Sequence, residues 1–329
     1  MRISTSQMFD AGALNIQRNQ SDVFKTYNQI STGRRVLTPA DDPVAAAQAL
    51  MVTQSDEVNN RHIDNQGYAG DKLKLLETKL TSATDSIQNI LEKAVQGGNS
   101  GTLSDTDRKS IAMDMRQQLA QLLSTANSQD GSGLYMFSGY QSNVRPFTAA
   151  TDPTDPSALA TPAPPQSYTN QYVTYSGDQG RQELKVDASR IMPVSENGSD
   201  VFMRVSGPDG SLTGGSVFDS IKNMIDTLEK PMATNPSFQA DFNKSLGDLH
   251  SVLDNVVRIR SSVGSRLAEL DAMGTASSAQ TLQYKETLSN LQDLDYAKAL
   301  TDFTKQQNSL EAAQKSFAQI SGLSLFKIL

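Results

Sequence analysis

The segment Ile30–Leu50, ISTGRRVLTPADDPVAAAQAL, sets two arginines, two prolines and two adjacent aspartates between a polar helical pattern and an alanine-rich one. Helix-end chemistry accounts for these residues. Gly33 falls just past the last apolar position of the preceding pattern, where a left-handed residue commonly ends a helix. Arg34 and Arg35 follow, near the negative end of that helix's dipole. Pro39 stops helix propagation, and Asp42 with Pro43 reads as a new start, an N-cap carboxylate followed by a first-turn proline. The segment is expected to be a joint between two helical domains, with Gly33, Arg34, Arg35, Asp41, Asp42 and Pro43 as its site residues. A metal or acid/base role for Asp41 and Asp42 lacks a histidine or third ligand nearby, and two arginines alone do not make a phosphate site. Charge concentrated at a joint between low-charge helices suits contacts with neighbouring subunits.

Upstream of the joint, Phe9, Ala13, Ile16, Gln20, Val23, Tyr27 and Ile30 recur at alternating steps of four and three, a coiled-coil-like seam interrupted by one glutamine. The far end of the chain repeats the device with Tyr296, Ala299, Phe303, Gln306, Leu310, Ala313, Phe317 and Ile320. The two ends therefore read as partners, and Phe9, Ile16, Val23, Ile30, Phe303, Leu310, Phe317 and Ile320 are the expected interface residues. Their outer faces carry Gln7, Asn15, Gln17, Asn19, Asn28 and Gln29, then Gln307, Asn308, Gln314 and Gln319, in place of Lys/Glu lacing. Amides are less costly than charges to take out of water, so such faces suit helices that pack against further helices.

Between the ends, Leu73, Leu76, Leu80, Ala83, Ile87, Ile90 and Ala94 form one apolar stripe, and Ile111, Met115, Gln118, Leu122 and Thr125 a second. Leu246, Leu249, Leu253, Val256, Arg260, Val263, Leu267 and Leu270 form a third. Three such stripes can bury one another in an elongated bundle. From Gly131 to about Gly215 the pattern changes to Pro, Thr, Ser, Gly and Tyr. After the irregular TDPTDPSALATPAPPQ come short β-like runs, YVTYSG, ELKVDA, IMPVS and VFMRVSG, separated by turn signals. The reading is a mainly α chain with an inserted β-rich domain. Residues 1–36 with 284–329 form a terminal coiled coil, 37–132 with 216–283 a helical bundle, and 133–215 the insert.

Composition excludes several functions. The 329 residues carry net charge −7 and no cysteine, which rules out a disulfide scaffold, thiol catalysis and thiolate metal sites. An acidic balance argues against a nucleic-acid partner. No apolar run is long enough to span a bilayer, so no membrane partner is expected, and the N-terminus lacks the apolar core of a cleavable secretory signal. His62 and His250 have no metal-ligand companion at helical spacing, SSVGSR at Ser261–Arg266 lacks the lysine of a phosphate loop, and no serine has a readable base and acid. The chain reads as a non-enzyme without cofactor or metal.

At this point the residues resemble a family. Paired helical ends, the joint ISTGRRVLTPADDP and an inserted domain are similar to the flagellin and hook-associated axial proteins of the bacterial flagellum. The TPADDP form is that of junction proteins rather than the AKDDAAG form of flagellin. ILEKAVQGGNSGTLSDTDRKSIAMDMRQQLAQL resembles the family's helix, turn and second helix, GLYMFSGYQSNVRPF its passage into the insert, and VVRIRSSVGSRLAEL its returning helix. The resemblance covers both helical arms. It implies a structural junction protein exported unfolded through the hollow flagellum to the hook-filament junction, with the β-rich domain outermost. The implied partners are other copies of itself in a ring, hook-associated protein 1, flagellin and a cytosolic export chaperone. Two other readings stay open: a filament subunit, separable by self-polymerisation, and a cytoplasmic coiled-coil binding module, whose ends would fold without a polymer.

Overall fold

The computed structural model describes residues 5–99, 103–149, 172–204, 215–232 and 235–325. Within them the chain is mainly helical, with two small antiparallel sheets. The elements are α1 (Thr5–Thr32), α2 (Pro43–Gly97), α3 (Asp105–Ala126), β1 (Phe147–Ala149), β2 (Val173–Tyr175), β3 (Glu183–Lys185), β4 (Ile191–Pro193), α4 (Val217–Glu229), α5 (Phe238–Gln292) and α6 (Tyr296–Leu325). Contacts divide the chain into two units, Met1–Asn60 with Ser278–Leu329, and Arg61–Ser277. The long helices α2 and α5, 55 residues each, contribute to both.

In the second unit the core is one continuous apolar cluster. The α2 stripe Leu73, Leu76, Leu80, Ala83, Ile87, Ile90 and Ala94 is buried throughout, because 3.6-residue periodicity places all seven on one face. The α3 stripe keeps Ile111, Met115 and Leu122 buried as its spacing predicts, and shifts by one residue at the two polar positions. Leu119 and Ala126 are buried where Gln118 and Thr125 were expected, since the amide and hydroxyl are better left near water. On α5 the buried residues include Leu249, Val252, Val256, Ile259, Val263 and Leu270, while Arg260 at the edge pairs with Glu77 of α2 at 2.6 Å. Helix α4 completes the packing with Val217, Phe218, Ile221, Met224, Ile225 and Leu228. Its start is a capping box: the Ser216 hydroxyl accepts from the Asp219 N–H, and Asp219 in turn accepts from the Ser216 N–H.

The β-like runs form two hairpin-sized sheets. Phe147 pairs with Tyr175 in β1–β2, and Leu184 with Met192 in β3–β4. Both contribute to the same core as the helices, through Phe147, Val173, Val186 and Met192. Asn65 and Gln66 of α2 donate to the carbonyls of Lys185 and Val186, tying β3 to the helix.

VFMRVSG, expected as a strand, begins instead within a π-helical turn, Ser199–Met203. Just before it, Asn197 Oδ1 accepts the Asp200 N–H at 2.8 Å, and Asn255 of α5 donates to the carbonyls of Asp200 and Val201. The turn delivers Phe202 into a ring cluster with Phe137, Phe147 and Phe218, burial that an edge strand would not supply. TDPTDPSALATPAPPQ, and everything else from 150 to 171, lies outside the described residues.

Candidate assembly site

The joint and the terminal helices lie in the first unit, and the joint is built from both ends of the chain. Helix α1 ends at Thr32, and Gly33 takes φ 70°, a left-handed geometry in which a side chain is strained. A Cβ on Gly33 would also stand 2.9 Å from the Tyr296 hydroxyl. The chain then extends for one short antiparallel bridge, Arg34 against Asp293. The Arg35 N–H donates to the Gln292 carbonyl at 2.7 Å, and the Leu294 N–H donates to the Gly33 carbonyl at 3.0 Å.

Side chains reinforce this clasp. The Arg35 guanidinium donates to the Leu291 carbonyl at 2.8 Å and to Asp42 Oδ2 at 3.0 Å. Arg35 thus sits at the negative C-terminal end of α5 while contacting the carboxylate at the start of α2. The Asp42 Oδ1 accepts from the Ala45 N–H at 3.0 Å, an N-cap bond, and Pro43 is the first residue of α2. The Ala45 N–H and then Arg35 hold the Asp42 carboxyl below its usual range. Asp41 closes the turn before it. One of its oxygens meets Lys25 of α1 at 2.7 Å, and the other accepts from the N–H groups of Leu37 and Thr38 and the Thr38 hydroxyl. The Lys25 ammonium first, then those donors, lower its carboxyl to about 2. Arg34 is exposed and enters the clasp through its backbone.

Helix α1 lies against α6. The side of α1 turned inward is Phe9, Gly12, Ile16, Asn19, Val23, Thr26 and Ile30, whereas Ala13, Gln20 and Tyr27 are exposed. The seam is therefore one residue out at alternate steps. Phe9, Ile16, Val23 and Ile30 are half-buried in it, but its second row is small or polar. The reason is visible at Gly12, where an added Cβ would come 2.7 Å from the Phe317 ring. A large ring from α6 needs a residue without a side chain opposite, and Phe9 meets the same ring edge-on at 5.6 Å. On α6, Ala299 is buried and Phe303, Gln306, Leu310, Ala313 and Phe317 are half-buried, while Tyr296 is exposed. The side chain of Ile320 lies outside the described residues.

The other chemistry weighed from sequence stays dispersed. His62 is half-buried on α2 and His250 exposed on α5, and Ser261–Arg266 is continuous α5 helix. Among the described residues no group of three His, Cys, Asp or Glu could hold a metal ion, and no helix is long and apolar enough to cross a membrane. Sequence reading missed the part played by Leu291, Gln292 and Asp293. Their role is carried mainly by backbone groups, which leave no residue signature.

Comparison with known proteins agrees with this architecture. The family described as the bacterial flagellin N-terminal helical region matches residues 3–142, and its C-terminal helical counterpart matches residues 246–329. Flagellar hook-associated protein 3 of Salmonella typhimurium is 33% identical over 100% of this chain and 99% of its own length. The protein of the same name from Escherichia coli is 32% identical over the same shares. The crystal structure of flagellar hook-associated protein 3 from Legionella pneumophila superposes with a TM-score of 0.62 at 21% identity, covering 73% of this chain and 98% of that one. With full-length identity above 30% and both flagellin regions in place, the chain belongs to the flagellar hook-associated protein 3 family.

Proposed function

We propose that the chain is a structural junction protein of the bacterial flagellum, forming a ring between hook-associated protein 1 on the hook side and the flagellin filament. The carrying observation is full-length similarity to flagellar hook-associated protein 3. The first unit supports an assembly role, because it leaves large apolar side chains uncovered. Leu14 is 54% exposed, Phe24 64% and Leu300 53%, on the same helices that pair through half-buried residues. In this reading α1 and α6 form a coiled coil whose burial is completed by neighbouring subunits. Ordering of the ends and docking then become one event, since the pair alone buries too little apolar area to offset its backbone entropy.

Three working parts follow. Residues 1–36 with 284–329 make the inner coiled coil, 37–132 with 216–283 a spacer bundle, and 133–215 the outermost β-rich part. Export as an unfolded chain, guided by a cytosolic chaperone, brings it to the extracellular flagellum.

The deciding experiment is incorporation of Leu310→Asp into flagella. The variant should be absent from the junction while the α2 stripe stays folded. Incorporation at the wild-type level would remove the terminal pair from the mechanism. The flagellin-region matches support a filament subunit as a second reading, which long tubes assembled from the purified chain alone would favour.

A further inference from the structure

The second unit contains a cationic cavity that the junction role does not use. It has a volume of about 320 Å3 and is lined by Arg181, Arg204, Arg258 and Arg266 together with Glu196 and Asp200. Glu196 is 2% exposed. One of its oxygens accepts from Arg266 at 2.6 Å, and the other faces Arg181 at 3.2 Å. Asp200 Oδ2 accepts from Arg181 and from Asn197 Nδ2, each at 2.8 Å, and Oδ1 faces Arg204 at 3.2 Å. All four carboxylate oxygens are thus occupied, and four guanidiniums face two carboxylates, an excess of two positive charges.

The arginines divide by role. Arg181 and Arg266 hold buried Glu196 and belong to the fold. Arg204 and Arg258 are exposed, and Arg258 donates to Asn255 Oδ1 at 2.7 Å, a neutral acceptor. A guanidinium offers five N–H groups in a fork that fits a carboxylate, so both retain donors for an incoming anion. A complementary surface lies on α2. There, Asp64, Asp71, Asp85 and Glu92 stand at multiples of seven residues, all exposed, on the side away from the buried stripe. The ion pairs that α2 makes within this unit use Glu77 and Lys93 instead. In a chain of net charge −7, copies repel except where such a stripe meets a positive site.

We propose that the four-arginine cavity of one copy receives the acidic face of α2 from a neighbouring copy, fixing the lateral register of the ring. This rests on the ring reading above, because it needs copies side by side.

The test is a charge swap in the full chain, read as the amount incorporated into isolated flagella. Arg204→Glu with Arg258→Glu, and separately Asp71→Arg with Asp85→Arg, should each lower incorporation roughly tenfold or more, and the four changes together should restore it. Far-UV circular dichroism and melting of each purified variant check that the bundle is intact, and Arg204→Gln with Arg258→Gln provides a milder pair. Wild-type incorporation of either double variant would overturn the proposal. So would loss of incorporation that the four-residue swap does not recover, and tight titration of inorganic phosphate in that case would make the cavity a small-anion site. Absence of the wild-type chain from flagella would instead count against the junction reading itself.

Discussion

Arg35 donates its N–H to the carbonyl of Gln292 at 2.7 Å. The same residue's guanidinium spans from the Leu291 carbonyl to the Asp42 carboxylate. One side chain therefore links the last turn of α5 to the first turn of α2, and it does so beside the residue that ends α1. The joint is a clasp between distant parts of the chain, and its strength lies in backbone pairing that arginine completes.

Gly33→Ala should weaken the clasp by about 1 kcal/mol, because L-residues pay roughly that for a left-handed backbone. Thermal unfolding of the first unit measures it. Pairing the change with Tyr296→Ala removes the hydroxyl that a Cβ would approach at 2.9 Å. Full recovery in the double variant would show that the cost is steric contact rather than backbone geometry.

Acid should loosen the joint through Asp41. Its folded carboxyl is lowered from 3.8 to about 2. A lowered carboxylate contributes stability that is fully present above 3.8 and lost as pH falls through about 2. Exchange of the Leu37 and Thr38 amides should therefore quicken, relative to the intrinsic rate, as pH drops across that window. In Asp41→Asn the extra acid dependence should be absent.

The π-helical turn should be among the least tolerant parts of the second unit. Phe202→Ala removes a buried ring from a four-ring cluster and should cost about 3–5 kcal/mol in chemical denaturation. Asn255→Ala leaves the carbonyls of Asp200 and Val201 without their amide donor, an expected loss of about 1–3 kcal/mol. An unchanged denaturation midpoint for Asn255→Ala would mean that the turn holds itself.

In the purified monomer, amides of α1 and α6 should exchange much faster than those of α2 between Leu73 and Ala94. The terminal seam is half-buried, whereas the α2 stripe is sealed. Comparable protection at both would identify a terminal pair that is complete without neighbours.

The α2 stripe was legible from spacing alone because its seven residues are both apolar and in phase. The terminal seam was legible only in alternate positions. Hydrophobicity favoured Ala13 and Tyr27, but the Phe317 ring selects Gly12, and that choice depends on a side chain some 300 residues away that spacing cannot weigh. Helix α4 was hidden inside a segment that composition assigned to the bundle without resolving it, although Ser216 and Asp219 spell a capping box in the sequence. The VFMRVSG run carries strand-like residues, and the asparagines that hold it in a π-helical turn lie before it and on α5. The joint's glycine, prolines and aspartates announced helix ends, yet their partners at Leu291–Leu294 contribute mostly main-chain atoms.

Arg35 and Leu291 stand 256 positions apart, so the clasp encloses most of the polypeptide in a single closed loop. Closing so long a loop is slow and entropically costly, and it cannot occur until the distant segment is present. A chain cut short before Leu291 lacks the Asp293 strand of the bridge and the whole of α6. The joint thus acts as a completeness check on the chain: only a polypeptide that extends through Leu294 can seal it.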